Sequence, residues 1–125
     1  MAGQHSQRGQ SAAELALLLP VVVLAFLVVV QIGLVARDQV LVNHAVREAA
    51  RQVALDPSQA SAAEAAASAV PGLNQARLNL ELRGNASSGQ IVTVELTYRS
   101  PTDVALVGAF IGDVELNTNA AVRIE

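Results

Sequence analysis

The chain has 125 residues, a formal net charge of −3, eight arginines, no lysine and no cysteine. This length allows a single domain. The net charge is negative, so the chain lacks the excess of basic residues that nucleic-acid binding requires. Without cysteine the chain has no disulfide framework and no thiolate metal site. Hydrophobic residues make up 52% of the sequence but aromatic residues only 2%, so the apolar content is mainly Ala, Val and Leu.

One uncharged apolar block dominates the N-terminal part of the sequence. Residues 15–36 contain no charged side chain, and Pro20, Gln31 and Gly33 interrupt the run. A helix of this length is about 33 Å long, which spans the roughly 30 Å hydrocarbon core of a bilayer. A buried core helix is the alternative, but the rest of the chain is too small to surround one. The block therefore predicts a single transmembrane helix over 15–36.

The charges that flank this block indicate its orientation. The chain amine and Arg8 precede it with Glu14 as the acidic residue, whereas Arg37 and Asp38 follow it and cancel. The positive-inside rule then places the residues before the block in the cytoplasm and residues 37–125 outside. Removal of the block as a secretory signal is the alternative, although the apolar run is longer than the roughly 7–15 residues typical of such signals.

Glu14 lies at the edge of the apolar block, where a carboxylate has two explanations. If the helix begins near Ser11, Glu14 falls in its first turn, where the helix dipole favours it and the two residues have capping-box spacing. A carboxylate at the centre of a membrane costs about 2.5–3.5 kcal/mol, less near the edge, and usually has a designated partner. A free amine created at Gln10 would be such a partner. The residues leave both roles open.

The N-terminal region combines three features around this block. Gly9 precedes Glu14 by five residues, Pro20 follows a leucine early in the apolar run, and the stretch Arg-Glu-Ala-Ala-Arg occupies residues 47–51. Together these features resemble the TadE-like pilus assembly family, the tight-adherence pseudopilins, whose N-terminus is similar to that of class III type IV prepilins.

The resemblance covers residues 8–55 closely and implies processing followed by assembly. A prepilin peptidase would cut between Gly9 and Gln10 on the cytoplasmic side, where glycine offers no side chain to obstruct the protease. Glu14 would then pair with the new amine of a neighbouring subunit and neutralise both charges in lipid. The chain departs from the family pattern at Leu15, where an aromatic residue is usual.

The resemblance also implies partners and a location. The expected partners are the prepilin peptidase, other pilin or pseudopilin subunits, pilus assembly proteins and membrane lipid. The protein would lie in the bacterial inner or cytoplasmic membrane, or in the pilus, as a structural or assembly component. No cofactor, metal ion or catalytic role is expected, because the sequence has no Ser-His-acid set, no phosphate-binding glycine motif and no pair of nearby histidines.

A function from another class stays open on the residues alone. In this alternative the chain is an unprocessed single-pass membrane protein whose outer domain binds a ligand or a partner. The two functions differ at the Gly9–Gln10 bond, which is cut in the first and intact in the second.

The helical pattern continues beyond the apolar block to Leu55, which predicts one N-terminal helix over 10–56 after a leader of residues 1–9. Apolar residues recur at helical spacing up to Val53. Pro20 is expected to kink this helix because it removes a backbone donor. Four polar residues on its outward rows are candidate partner contacts, although a solvated helix face also explains them: Asn43, Arg47, Glu48 and Arg51.

Residues 57–125 predict a small α+β domain outside the membrane. Asp56 and Pro57 suit the N-cap and first position of an Ala-rich helix that ends near Val70. The apolar stretch 102–112 predicts a short helix or a loop that contacts the membrane or a partner. Alternating apolar and polar residues predict three antiparallel strands that pack on the long helix, over about 78–83, 92–99 and 114–124.

Overall fold

The protein is described by a computed structural model that covers residues 2–85, 87–104 and 106–125, with side chains from Gln7 onward. The elements in chain order are α1 (Ala2–Leu55), α2 (Gln59–Ala69), a short 3-10 turn (Gln75–Arg77), β1 (Leu78–Arg83), β2 (Ile91–Ser100), α3 (Gly108–Ile111) and β3 (Val114–Arg123). This order confirms the predicted α+β class, with a long N-terminal helix and a three-stranded antiparallel sheet.

Helix α1 is one continuous helix of 54 residues from Ala2 to Leu55. At the α-helical rise it is about 80 Å long, more than twice the thickness of a hydrocarbon core. Because the helix begins before Ser11, the predicted start near Ser11 is wrong, and both Ser11 and Glu14 lie too far inside it to form a capping box. Pro20 also lies inside α1, which continues on both sides of it; the kink stays a prediction.

The predicted leader, residues 1–9, is helical over residues 2–9 and continues directly into the rest of α1. Its first residue, and the side chains of residues 2–6, lie outside the described part. The Gly9–Gln10 bond therefore lies within a helix. The proposed division into leader, N-terminal helix and outer domain concerns processing and topology and stays a prediction.

Helix α2 begins later than its predicted cap. Its N-cap is Ser58, whose hydroxyl accepts from the backbone N–H of Ser61 at 3.4 Å. The prediction that Asp56 caps α2 is wrong, because α2 begins at Gln59 and Ser58 takes the N-cap position. The Asp56 N–H donates to the carbonyl of Gln52 at 2.8 Å and so completes the end of α1. The Asp56 carboxylate instead accepts from the Ser61 hydroxyl at 2.7 Å, and Pro57 precedes the cap.

The sheet has the order β1-β2-β3 with β2 in the centre, and both pairings are antiparallel. Alternate residues of β2 face the core, as the predicted alternation requires. These four side chains are buried: Val92, Val94, Leu96 and Tyr98. Strand β2 runs one residue further at each end than predicted, because Ile91 pairs with Arg123 and Ser100 pairs with Val114.

The upper half of α1 and helix α2 complete the core. The fully buried positions on the two helices are small or β-branched, so the helices approach closely: Val42, Ala45, Ala49 and Val53 on α1, and Ala62 and Ala66 on α2. We call this upper part of α1, together with α2 and the sheet, the head. The lower part of α1, residues 7–30, is called the stem. The sheet crosses the upper half of α1 and thereby sets which level of the helix its loops reach.

Candidate membrane and assembly site

The stem has very little protein cover. Only 6% of the most apolar 18-residue window of α1 is buried, and this is the one helix in the described part of the chain that is long and apolar enough to cross a membrane. Such exposure does not fit the alternative of a buried core helix, because a core helix is stabilised by removing its apolar surface from water. A single N-terminal apolar helix with these properties fits a single-pass membrane protein. The large exposed side chains on the stem include Leu17, Val22, Phe26 and Val29.

The residues of the predicted processing site are exposed near the start of the stem. Gly9, Gln10 and Glu14 are all exposed, and a Cβ added at Gly9 would meet no atom within 4 Å. Glu14 forms no ion pair with any described side chain. Its carboxylate is therefore accessible to a group from outside the chain.

The four candidate partner residues of α1 do not form one surface. The Oδ1 atom of Asn43 accepts from the Thr118 hydroxyl at 2.9 Å and from Nε2 of Gln39 at 3.3 Å. Asn43 thus faces β3, and the prediction that it points outward is wrong. Arg47 and Arg51 are exposed and Glu48 is half-buried. No ion pair joins these three residues to other described side chains.

The head is fastened to α1 immediately above the apolar block. Asp38 is buried, and its Oδ2 accepts from the hydroxyl of buried Ser100 at 2.7 Å. Arg37 lies beside the same carboxylate, with Nη1 3.6 Å from Oδ1. A buried carboxylate is strongly destabilising unless it is paired and hydrogen-bonded, so this contact fixes the end of β2 at the level of Asp38.

A loop of mostly apolar residues leaves the sheet at this point. We call residues 101–113 the apolar loop; they include α3 and return the chain from β2 to β3. At its ends the Thr102 hydroxyl donates to the carbonyl of Gly112, and the Thr102 N–H donates to Oδ1 of Asp113 at 3.5 Å. Nη1 of Arg77 donates to the other carboxylate oxygen of Asp113 at 2.8 Å. The two ends of the loop are thereby held together.

The Arg77 hydrogen bond also sets the ionisation of the loop end. The guanidinium of Arg77 donates to the Asp113 carboxylate and holds the pKa of that carboxyl below its ordinary value, and the Thr102 N–H acts in the same direction. The pKa of Arg77 is raised, mainly by the same hydrogen bond. Both effects favour the charged pair that closes the apolar loop.

Gln31 is buried in this region, which the sequence did not predict. It is only 3% exposed although it belongs to the apolar block, and neither Oε1 nor Nε2 has a hydrogen-bond partner among the described residues. It lines a cleft of about 420 Å³ between α1 and the lower edge of the head. One wall of this cleft includes Ile32 and Val35 of α1. The other wall includes Ile111 of α3, and Val114 and Leu116 of β3.

We expect Gln31→Leu to stabilise the protein. A buried polar group without a partner costs about 1–3 kcal/mol, and leucine has a similar length without that cost. Thermal unfolding of the full chain in detergent, followed by circular dichroism, would show a higher Tm for the variant. The matched control is Gln39→Leu, which removes a glutamine that does donate to Asn43 and should bring no gain. An unchanged or lower Tm for Gln31→Leu would contradict the conclusion that the buried amide of Gln31 has no hydrogen-bond partner.

We expect Asp113→Asn to destabilise the head at neutral pH but not in acid. Because the folded-state pKa of Asp113 is lowered, the ionised carboxylate stabilises the head above the unfolded value of about 3.9, and this contribution is lost as pH falls through the folded pKa. Thermal unfolding between pH 7 and about pH 2 would show two Tm curves that merge on acidification. Glu64→Gln, an exposed change on α2, is the control and should leave the curves superimposed throughout.

Comparison with known proteins bears on the N-terminal part of the chain. The family model described as TadE-like protein matches residues 9–51, which confirms the predicted resemblance. No curated protein and no solved structure matches the chain. The matched segment begins at Gly9, includes Glu14 and the whole apolar block, and ends at Arg51, so the sheet and the apolar loop lie outside it. Residues 9–51, called the TadE-like segment below, are therefore similar to TadE-like proteins.

Proposed function

We propose that the chain is a TadE-like minor pseudopilin, a non-catalytic structural or assembly component of a type IV pilus machine of the Tad/Flp type. The observation that carries this proposal is the placement of Glu14. Its carboxylate is exposed at the start of an uncovered apolar helix, five residues after an unobstructed Gly9, and both residues lie in the TadE-like segment.

The first step of this function is cleavage of the Gly9–Gln10 bond by a prepilin peptidase. Hydrolysis consumes one water and leaves a carboxylate on Gly9 and an amine on Gln10. The bond lies within a helix, which must unwind locally to enter a protease. Gly9 assists twice: it leaves the backbone open, and glycine weakens a helix by about 1 kcal/mol relative to alanine.

The second step is pairing between subunits. The Gln10 amine of one subunit lies at the start of its stem, and the Glu14 carboxylate of a neighbour lies one helical turn further along. An ion pair between them neutralises two charges that are each costly in lipid. Because both groups lie on continuous helices, the pair also sets the axial offset of adjacent helices.

The orientation that follows has the start of the stem in the cytoplasm and the head outside. Arg8 and the chain amine precede the apolar block and favour the cytoplasmic side. The prepilin peptidase acts on that side, so orientation and processing support each other. The protein would then lie in the bacterial inner membrane, with other pilin or pseudopilin subunits and assembly proteins as its partners.

We expect Gly9→Leu to abolish processing when the chain is expressed with a prepilin peptidase, because the side chain obstructs the bond to be cut. Intact mass and N-terminal sequencing of the membrane-extracted protein would show Gln10 as the first residue of the wild type and no cleavage in the variant. Gly33→Leu is the matched control, because a Cβ at Gly33 also meets no atom within 4 Å, and it should be cut normally.

The same measurement separates the alternative functions. An uncut wild type would overturn the proposal and leave a single-pass membrane protein whose outer domain binds a ligand or partner. A first residue near Arg37 would indicate a secreted domain and would also overturn it.

We expect Glu14→Ala to be cleaved at the same bond but to assemble poorly. Loss of an ion pair that offsets about 2 kcal/mol of membrane cost weakens association roughly 30-fold. Crosslinking of subunits in membranes that contain the assembly machinery would measure this loss, and Glu14→Asp should restore part of it. Glu64→Ala, an exposed change on α2, is the control. Normal crosslinking of a correctly cleaved Glu14→Ala variant would exclude the pairing role.

A further inference from the structure

We propose that the apolar loop inserts into the outer leaflet of the bilayer that α1 crosses, so that the protein contacts the membrane at two places. The partner of this surface is lipid. The inference depends on a membrane-spanning α1 and is independent of processing at Gly9.

The sequence of the loop separates its charges from its tip. Asp103 and Asp113 bracket the stretch 104–112, which contains no charged residue. Asp113 lies with Arg77 and Thr102 at the edge of the sheet, and Asp103 directly follows Thr102, whereas the residues between the two aspartates are Val, Ala, Leu, Phe and Ile with two glycines. This division places polar groups at the base of the loop and apolar groups at its tip.

The apolar side chains of the tip are directed away from the core. Phe110 is 84% exposed, Leu106 63% and Ile111 55%, whereas Val107 between them is buried. Leu106 also has a φ of +69°, a left-handed conformation that is unfavourable for leucine. Packing within the chain gives an exposed Leu106 little compensation for this conformation. Contact with an apolar phase outside the chain would supply it.

The level of the loop along α1 favours lipid over water. Ile111 lines the same cleft as Gln31 and Ile32 of α1. Ala36 is the end of the apolar block. Gln31 lies five residues before it, and therefore about 7.5 Å deeper in the bilayer along the helix axis. Ile32 is itself 63% exposed, so the apolar surface of the loop adjoins a surface of α1 that faces the bilayer.

The contacts at the base of the loop keep the tip in this position. Ser100 is bonded to Asp38, two residues beyond the apolar block, so the loop starts at the membrane surface. Thr102 and Arg77 then hold Asp113 and close the loop. A loop fixed at both ends cannot withdraw its tip into the core without breaking these bonds. Because the fixed tip lies beside the apolar block of α1, we take lipid as its occupant rather than a second copy of the chain.

Fluorescence quenching of single-cysteine variants tests this inference, and the natural absence of cysteine makes every label unique. The full chain carries an environment-sensitive label at Phe110→Cys and is reconstituted in phosphatidylcholine vesicles at less than one chain per vesicle. Iodide quenches labels in water, and lipids that carry a spin label near the headgroup or deep in the acyl chain quench labels in the bilayer.

Two exposed positions provide matched controls. Phe26→Cys lies in the middle of the apolar block 15–36 and should be quenched by the deep spin label. Ile91→Cys is 58% exposed at the far end of β2, about 30 Å from Ser100 at the rise of a strand. That end lies beside the top of α1, since the Ile124 N–H donates to the Gln90 carbonyl and the Glu125 N–H to that of Ala54.

We expect the label at position 110 to be quenched by the shallow spin label and to be on the order of fivefold less sensitive to iodide than the label at position 91. Leu106→Cys should behave like position 110. Equal iodide quenching at 110 and 91 would overturn the inference. Protection at 110 that develops only as the number of chains per vesicle rises would assign the surface to a second copy and also overturn it. A label at position 26 that deep spin labels do not quench would show that α1 does not span the bilayer, and would also overturn the inference.

Discussion

The continuity of α1 is the constraint on which the rest of the structure depends. Lipid-facing and head-facing residues lie on one unbroken helix, so the height of the head above the membrane is fixed by the chain itself. The buried Asp38–Ser100 hydrogen bond uses this rigidity, because it ties the sheet to a level two residues beyond the apolar block. The cleft at Gln31, the apolar loop and the exposed Glu14 all take their positions from that one axis.

Local patterns predicted the elements of this fold well. Uniform hydrophobicity over 15–36 indicated the exposed apolar part of α1, alternation indicated β1 to β3, and the Ala-rich stretch after Pro57 indicated α2. The patterns failed where a local signal had two meanings. Asp56 has the chemistry of an N-cap, but α2 begins at Gln59, so Ser58 takes the N-cap position. The start of α1 was placed too late because the polar residues before Ser11 are also compatible with a coil.

The sequence could nominate candidate site residues only where their chemistry lies within one short segment. Gly9, Gln10 and Glu14 form such a segment, and the resemblance to TadE-like proteins rests on it together with Pro20 and residues 47–51. Asp38 meets Ser100 across 62 positions of sequence, and Asn43 meets Thr118 across 75. No periodicity reports such pairs, since each depends on how far the sheet slides along the helix. The burial of Gln31 is a consequence of the same long-range placement.

The alanines of the core have a consequence for how the head tolerates substitution. Ala45, Ala49, Ala62 and Ala66 are all fully buried, so the spacing between backbones in the head is set by methyl groups. Packed helices with such small contact residues lie near the short end of the usual 8–10 Å range of axial separations. Mutational tolerance is then asymmetric: a larger side chain has no space without moving a whole helix, whereas loss of a methyl group removes little volume. Natural variation at these four positions should accordingly be confined to the smallest amino acids.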